Sequence, residues 1–401
     1  MDFVGRGHDR LDRNRLRNAD GRPPIWACPG TESSEPGGDC VLRRVVRRDV
    51  ATYDRLGPHP TGTDGNLSAA KWLESEFAGL GYRVRLQRRG IPTYLVDEAF
   101  VEVRGERIQA FPQFPVPRPD AHELMGTLGD QIPILRIPNR LTNNSLAQAE
   151  LQARIRGVAA SGAKAVILEV AGACGDIKTL NAPLGIEPWD APVLLVAGGD
   201  AERLALLGEQ AETARVRLMG RHTIVDSINM IAEIGPASAP AIVVSTPLSG
   251  WFHATAERGS GIAAFLSLAR WASAEHGRRR FIFTANSGHE LGDAGAHAFL
   301  DSEAPPPERT QLWLHIGANV GSRNGEEPER ASSPSTSTQD TDQSWVCWAR
   351  GPSTIASTTD CPRSISRQPE AWPWALPRYS RLSPVADPGP RAARAWRQTR
   401  R

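Results

Sequence analysis

Lysine is nearly absent from this 401-residue chain: Lys71, Lys164 and Lys178 stand in a set of 47 basic residues that is otherwise arginine. That imbalance reads as coding bias, because 45 acidic residues bring the formal charge to only +2. Nucleic acid or an anionic membrane surface selects a stronger field, so neither is expected as a partner. Cysteine is scarce too. Cys28, Cys40, Cys174, Cys347 and Cys361 are odd in number and form no Cys-x-x-Cys. This excludes a disulfide scaffold and a cysteine zinc ribbon, and fits a reducing compartment. No apolar run reaches the ~18 residues a membrane-spanning helix needs. The opening 30 residues lack the apolar stretch of a secretory leader, so a cytoplasmic location is the expectation. What remains is ordinary for a globular protein, with 40% hydrophobic residues and length for two or three domains at ~100–200 residues each.

Composition and pattern divide the chain into five parts. Residues 1–42 are polar and aperiodic and are expected to form a loose arm. Residues 43–92 begin an ordered core, and Arg43–Arg48 reads as a solvated helix face. Asn66 is the expected cap of a helix burying Leu67, Ala70, Leu73, Phe77 and Leu80 and closed by Gly81. Alternation over 82–87 predicts a strand. Residues 93–221 hold proline-rich stretches, a helix near 146–160, buried strands at 165–170 and 192–197, and a helix capped by Asp200. They read as a small inserted unit. Residues 222–322 resume the core. Residues 323–401 turn rich in Ser, Pro, Thr and Arg, and are expected to be a poorly ordered or frame-altered tail.

Residues 222–322 carry the chemistry. Near-continuous apolar strands at 228–234, 241–245, 281–285 and 312–316 alternate with helices at 259–274 and 294–300. That pattern predicts an α/β fold with a mostly parallel sheet and helices on both faces. In such sheets ligands bind beyond the carboxyl ends of the strands. The first of these strand ends runs into Thr246, Ser249, His253 and Glu257. The second runs into Asn286, Ser287, His289 and Glu290. The third carries His315 and leads to Asn319.

Four stretches in this order resemble the co-catalytic zinc metallopeptidase family of aminopeptidase Y, bacterial leucyl aminopeptidases and the transferrin-receptor-like proteins. GPHPTGTDGNLSAAKWLESEFAGLGYRV at 57–84 is similar to the family's opening segment. ARIRGVAASGAKAVILEVA with APVLLVAGGDAERLALL resembles the protease-associated domain often inserted after it. ERGSGIAAFLSLARW at 257–271 resembles the Asp-Asn-Gly-Ser-Gly segment, and RRFIFTANSGHELGDAGAHAFL at 279–300 the Glu-Glu segment. The resemblance implies two zinc ions bridged by an Asp and a water, with a Glu as general base. It also places departures. Thr246 and Leu248 stand at the first His and the following Asp, Glu257 at the bridging Asp, His289 at the base and Glu290 at the adjacent ligand. Residues 317–319 hold no carboxylate where a later Asp belongs, and no His follows His315.

Two readings follow. In one, a peptidase or amidohydrolase acts on a peptide or small amide through a rearranged site. Glu257, Glu290, His253 and His315 would hold zinc or another divalent ion, His289 would be the base, and Thr246, Ser249 and Asn319 would contact substrate. His289 can also serve as a base without metal. In the other, the chain is a catalytically inactive relative that binds a peptide or protein, and the same side chains only hold loops. A serine nucleophile elbow is excluded, since Arg258 and Ile262 flank Gly-Ser-Gly where glycines are needed. His289-Glu290-Leu291-Gly292-Asp293 lacks the second histidine of a zincin motif. Gly250, Gly259 and Gly261 read first as turn and packing glycines, His59 and Asp64 carry no assigned chemistry, and oligomeric state is not legible.

Overall fold

A computed structural model describes residues 41–137, 146, 149–170, 177–317 and two further strands at 345–349 and 354–357. Residues 1–40 of the expected N-terminal arm, most of the expected tail, and Asn319 lie outside the described residues, while residues 41–42 of that arm already belong to a helix. Among the described residues no helix is long and apolar enough to cross a membrane.

The chain opens with α1 (Val41–Arg55) and α2 (Asp64–Gly79), and enters β1 (Arg83–Val103) and β2 (Glu106–Gln109). The second unit holds β3 (Phe111–Pro112), β4 (Ala121–Thr127), β5 (Ile134–Ile137), α3 (Ala149–Ala159), β6 (Val166–Val170), β7 (Val193–Leu195) and α4 (Gly198–Glu209). β8 (Thr213–Ile234) returns, followed by β9 (Ala241–Pro247), α5 (Ser260–Glu275), β10 (Arg280–Asn286), α6 (Ala294–Ser302), β11 (Thr310–Ile316), β12 (Trp345–Ala349) and β13 (Thr354–Ser357).

Helix α2 begins one turn earlier than expected. Thr63, not Asn66, is its cap: its hydroxyl accepts from the Asn66 amide, while Asn66 Oδ1 accepts from the Gly62 amide at 3.2 Å. This reciprocal pair satisfies two amide donors that the helix start would leave bare. Gly81, at φ +84°, closes the helix, with the Gly81 amide donating to Ala78 and the Tyr82 amide to Phe77. Helix α4 starts at Gly198, so Asp200 lies inside its first turn instead of capping it.

The main sheet runs β13-β12-β11-β9-β10-β8-β1-β2, with β4 also on β8. It is mixed, which corrects the expected mostly parallel sheet. Only β10, β9 and β11 run parallel; β8 is antiparallel to both β10 and β1. The misreading has a physical source. Residues 228–234 are almost wholly buried because helices cover both sides, and burial on two faces says nothing about strand direction. On one face α1, α2 and α5 pack through Tyr53, Leu73, Phe77, Phe265 and Leu266. On the other, Phe299 of α6 meets Ile231, Val243 and Ile282.

β1 and β8 form one ribbon paired from Arg83↔Glu233 to Val103↔Ala214. It leads from the main sheet into the second unit, so the expected boundaries at 92/93 and 221/222 fall inside two continuous strands. The second unit has its own sheet, β3-β7-β6-β5, in which β5, β6 and β7 are parallel. Helix α3 buries Leu151 and Ile155 against Val166 and Leu168, and α4 buries Ala201 and Leu204 against Ile167 and Leu194.

Candidate functional site

Parallel pairing sets the β9, β10 and β11 tips side by side, with Thr246 opposite Ala285 and His315 opposite Ser245. The loop after β9 is tied to β10 by the Leu248 amide donating to Asn286 at 2.7 Å. After β10 the chain turns through Gly288 (φ +86°), a short 3-10 turn over His289–Leu291, and Gly292 (φ +75°). A side chain at Gly292 would put its Cβ 2.3 Å from the Leu184 amide, so glycine lets residues 183–184 of the second unit lie directly on this turn.

Glu290 is 1% exposed, and both its oxygens are taken. The Thr61 amide and hydroxyl donate to Oε1 at 2.7 and 2.6 Å, and the Ser249 hydroxyl donates to Oε2 at 2.6 Å. With both hydroxyl protons directed at the carboxylate, each hydroxyl oxygen is left to accept, and the Gly288 amide supplies both at 2.9 and 2.7 Å. Ser249 is 0% exposed, so its hydroxyl is internal in this arrangement.

Glu257 and Arg258 lie in a wide π-type turn, Thr255–Gly259, immediately before α5. Ala254 enters it at φ +52°. Both side chains point inward: each residue is 2% exposed, and Arg258 Nη2 lies 2.5 Å from Glu257 Oε1. Arg258 Nε donates to the Ser249 carbonyl at 3.0 Å, which links this pair to the Glu290 cage.

The three histidines expected at the edge go separate ways. His289 Nδ1 donates to Asp293 Oδ1 at 2.6 Å, and its Nε2 accepts from Asn181 Nδ2 at 3.2 Å. Asn181 Oδ1 accepts in turn from Trp251 Nε1 at 3.1 Å. Desolvation pulls the Asp293 carboxyl upward, but the adjacent His289 ring and its hydrogen bond, with His315 and Arg258, bring it below the ordinary carboxylate range. His315 Nδ1 accepts from the Ser245 hydroxyl at 2.9 Å, and that hydroxyl accepts from Trp313 Nε1 at 2.8 Å. Burial pushes His315 down to about 4. At His253 it is the backbone carbonyl that is engaged, accepting from His59 Nδ1 at 2.7 Å. Thr246 is 1% exposed, and its hydroxyl donates to the Ile316 carbonyl at 2.9 Å.

The structure therefore joins Ser249 with Glu290 directly, and Glu257 with them through Arg258. It also brings in Thr61, Arg258, Asn181 and Asp293, to which sequence reasoning gave no role. The signal for Thr61 was its place in the opening segment; for Arg258, its adjacency to Glu257.

No protein-family model matches the sequence, and no match appears among curated proteins. Solved structures do match. A zinc aminopeptidase from Bacillus subtilis aligns at TM-score 0.56 with 20% identity, over 68% of this chain and 68% of that one. A peptidase M28 precursor from Shewanella amazonensis aligns at TM-score 0.54 with 16% identity, over 68% of this chain and 72% of that one. The chain has the zinc aminopeptidase fold.

Zinc requires several His, Asp, Glu or Cys side chains converging at ~2.0–2.3 Å. Among the described residues no group of three or more is placed to hold a metal ion. The donor set does not fit zinc either: both Glu290 oxygens accept from protein donors, and Glu257 faces a guanidinium.

Proposed function

We propose that this zinc aminopeptidase fold serves as a metal-independent binding protein for a peptide or protein partner, received where the β9–β10–β11 tips meet the second unit. The Thr61–Ser249 cage around Glu290 carries this reading, because it uses in internal bonds the carboxylate that sequence resemblance assigns to a metal. One fold neighbour is an aminopeptidase and another a peptidase, which supports a peptide as the class of ligand. We read the second unit, with its parallel β5–β6–β7 core and residues 181–184 laid on the His289 turn, as the protease-associated-like insertion, and as one wall of the binding region.

One observation favours a second reading. The His289–Asp293 pair is partly exposed and has the tautomer of a general base, with Nδ1–H held by a carboxylate. A metal-independent amide hydrolysis would place the reacting water at His289 Nε2, displacing Asn181.

Purified protein treated with EDTA tests both. The expected result is no stoichiometric metal by elemental analysis before EDTA is added and, in EDTA, no turnover of aminoacyl p-nitroanilides with retained capture of peptides from a random pool, followed by fluorescence polarisation. Turnover that needs zinc, cobalt or manganese overturns the metal-independent reading. Turnover in EDTA that vanishes in His289→Ala selects the second reading.

A further inference from the structure

A buried carboxylate needs a partner, and the partner available here belongs to the chain. Glu257 stands at the position that resemblance assigns to a metal-bridging carboxylate, and the residue after it is an arginine buried with it. We propose that Arg258 is the resident cation of the strand-tip cluster, standing where resemblance places a metal ion and balancing the buried Glu257 with no metal present. This rests on the metal-independent reading above and deepens it.

Several observations place the guanidinium at the centre of the cluster. It pairs with Glu257 on one side and donates to the Ser249 carbonyl on the other, while the Ser249 hydroxyl donates to Glu290. Gly250 makes room for it. A Cβ there would stand 3.3 Å from Arg258 Nε and 3.5 Å from Glu257 Oε2. The π-type turn delivers both residues at once. In a regular helix consecutive side chains diverge by ~100°, yet across this wide turn Glu257 and Arg258 are both buried. The charges also report on one another. The buried Tyr53 hydroxyl is raised by burial, drawn down by Arg258, and raised by Glu257 and Glu290, so all three charges act on one phenol. Arg258 likewise acts on Asp293 and on His315, both of which it lowers.

Arginine suits the role better than lysine would. Its planar fork can serve Glu257 and the Ser249 carbonyl together, and it keeps its charge when buried. The arrangement leaves Arg258 Nη2 close to Glu257 but outside hydrogen-bond geometry, so charge balance, more than hydrogen bonding, defines the contact.

The test is a melting-temperature cycle on the full chain with Glu257→Gln, Arg258→Met and the double variant, each in EDTA and in excess zinc chloride. Removing one member of a buried ion pair strands the other, so Arg258→Met should melt lower by about 6 °C or more. Adding Glu257→Gln should restore at least half of that loss, and zinc should leave the wild type unmoved. A double variant whose loss equals the sum of the singles overturns the proposal, as does a zinc-induced rise in the wild type. If Arg258→Met fails to fold, Arg258→Lys replaces it. A cationic role predicts that Arg258→Lys melts closer to the wild type than to a folded Arg258→Gln, and an equal loss in both overturns it. Peptide capture in EDTA is scored separately, so binding can fail while the charge cycle succeeds, and the reverse.

Discussion

Two regions of this molecule use the same side chains under opposite conditions. On the outside of the β1–β8 ribbon, Arg217 bridges Glu98 and Glu123 at 2.6 Å each, and Arg215 adds a 2.5 Å contact to Glu123. At the strand tips, Glu290, Glu257 and Arg258 are almost wholly buried. On the ribbon, water can replace any partner that leaves, so each contact contributes little. At the tips it cannot, and an unmet donor or charge costs its full desolvation. Distances alone do not separate the two regions; burial does.

The sharpest way to break this comparison is Glu290→Ala. It removes one acceptor group from the Thr61 amide, the Thr61 hydroxyl and the Ser249 hydroxyl at once. With the small void added, the expected loss is about 4 kcal/mol of unfolding free energy, read from urea denaturation. A loss below about 1 kcal/mol would place Glu290 with the ribbon residues and dissolve the contrast.

Acid separates the regions next. His59 is fully buried, stacks on Tyr53 with centroids 3.7 Å apart, and donates Nδ1–H to the His253 carbonyl, while its Nε2 has no partner among the described residues. Burial outweighs that hydrogen bond and lowers its pKa to about 4. An unfolded histidine titrates near ~6.5. Between those values the unfolded chain takes up the proton and the folded chain does not. The stabilisation is therefore complete above about pH 6.5 and is lost as pH falls toward 4, by at most about 3 kcal/mol. His315, lowered to about 4, adds a loss of the same sign. Urea midpoints at pH 7 and pH 4.5 check this. His59→Phe should lose less on acidification than the wild type while keeping some of the slope through His315. Parallel losses would remove His59 as a cause.

The contrast also explains what could be read from the chain beforehand. Helix α2, strands β9, β10 and β11 and the chemistry-bearing tips follow from local periodicity, which a linear sequence displays. The direction of residues 228–234 does not, because it depends on where the ribbon turns back. Glu290 stood out as a carboxylate just past a strand end. Its donor Thr61 lies 229 residues away, and nothing local couples them. Arg258 was adjacent to Glu257, yet a charge at a helix start normally faces water, and only the wide turn buries it. The histidines show the converse. His253, His289 and His315 looked like a shared set, but their partners are set by side-chain direction, which spacing does not report.

The smallest effect is expected at Arg217, and it is the control that gives the others meaning. Its two ion pairs, at 2.6 Å each, are about as short as the buried Arg258–Glu257 pair, and a count of contacts would rank it beside Arg258. Yet it is 27% exposed, and Glu98 and Glu123 are 43% and 49% exposed. Both acids regain water when the guanidinium leaves, and Arg215 and Arg107 remain nearby to share them. Arg217→Ala should therefore cost below about 1 kcal/mol in urea unfolding. Its deficit should shrink further in molar salt, where screening acts within ~3 Å. A salt-insensitive loss of several kcal/mol would mean that the ribbon lattice is as tightly coupled as the buried cluster, and that exposure is the wrong axis for dividing the molecule.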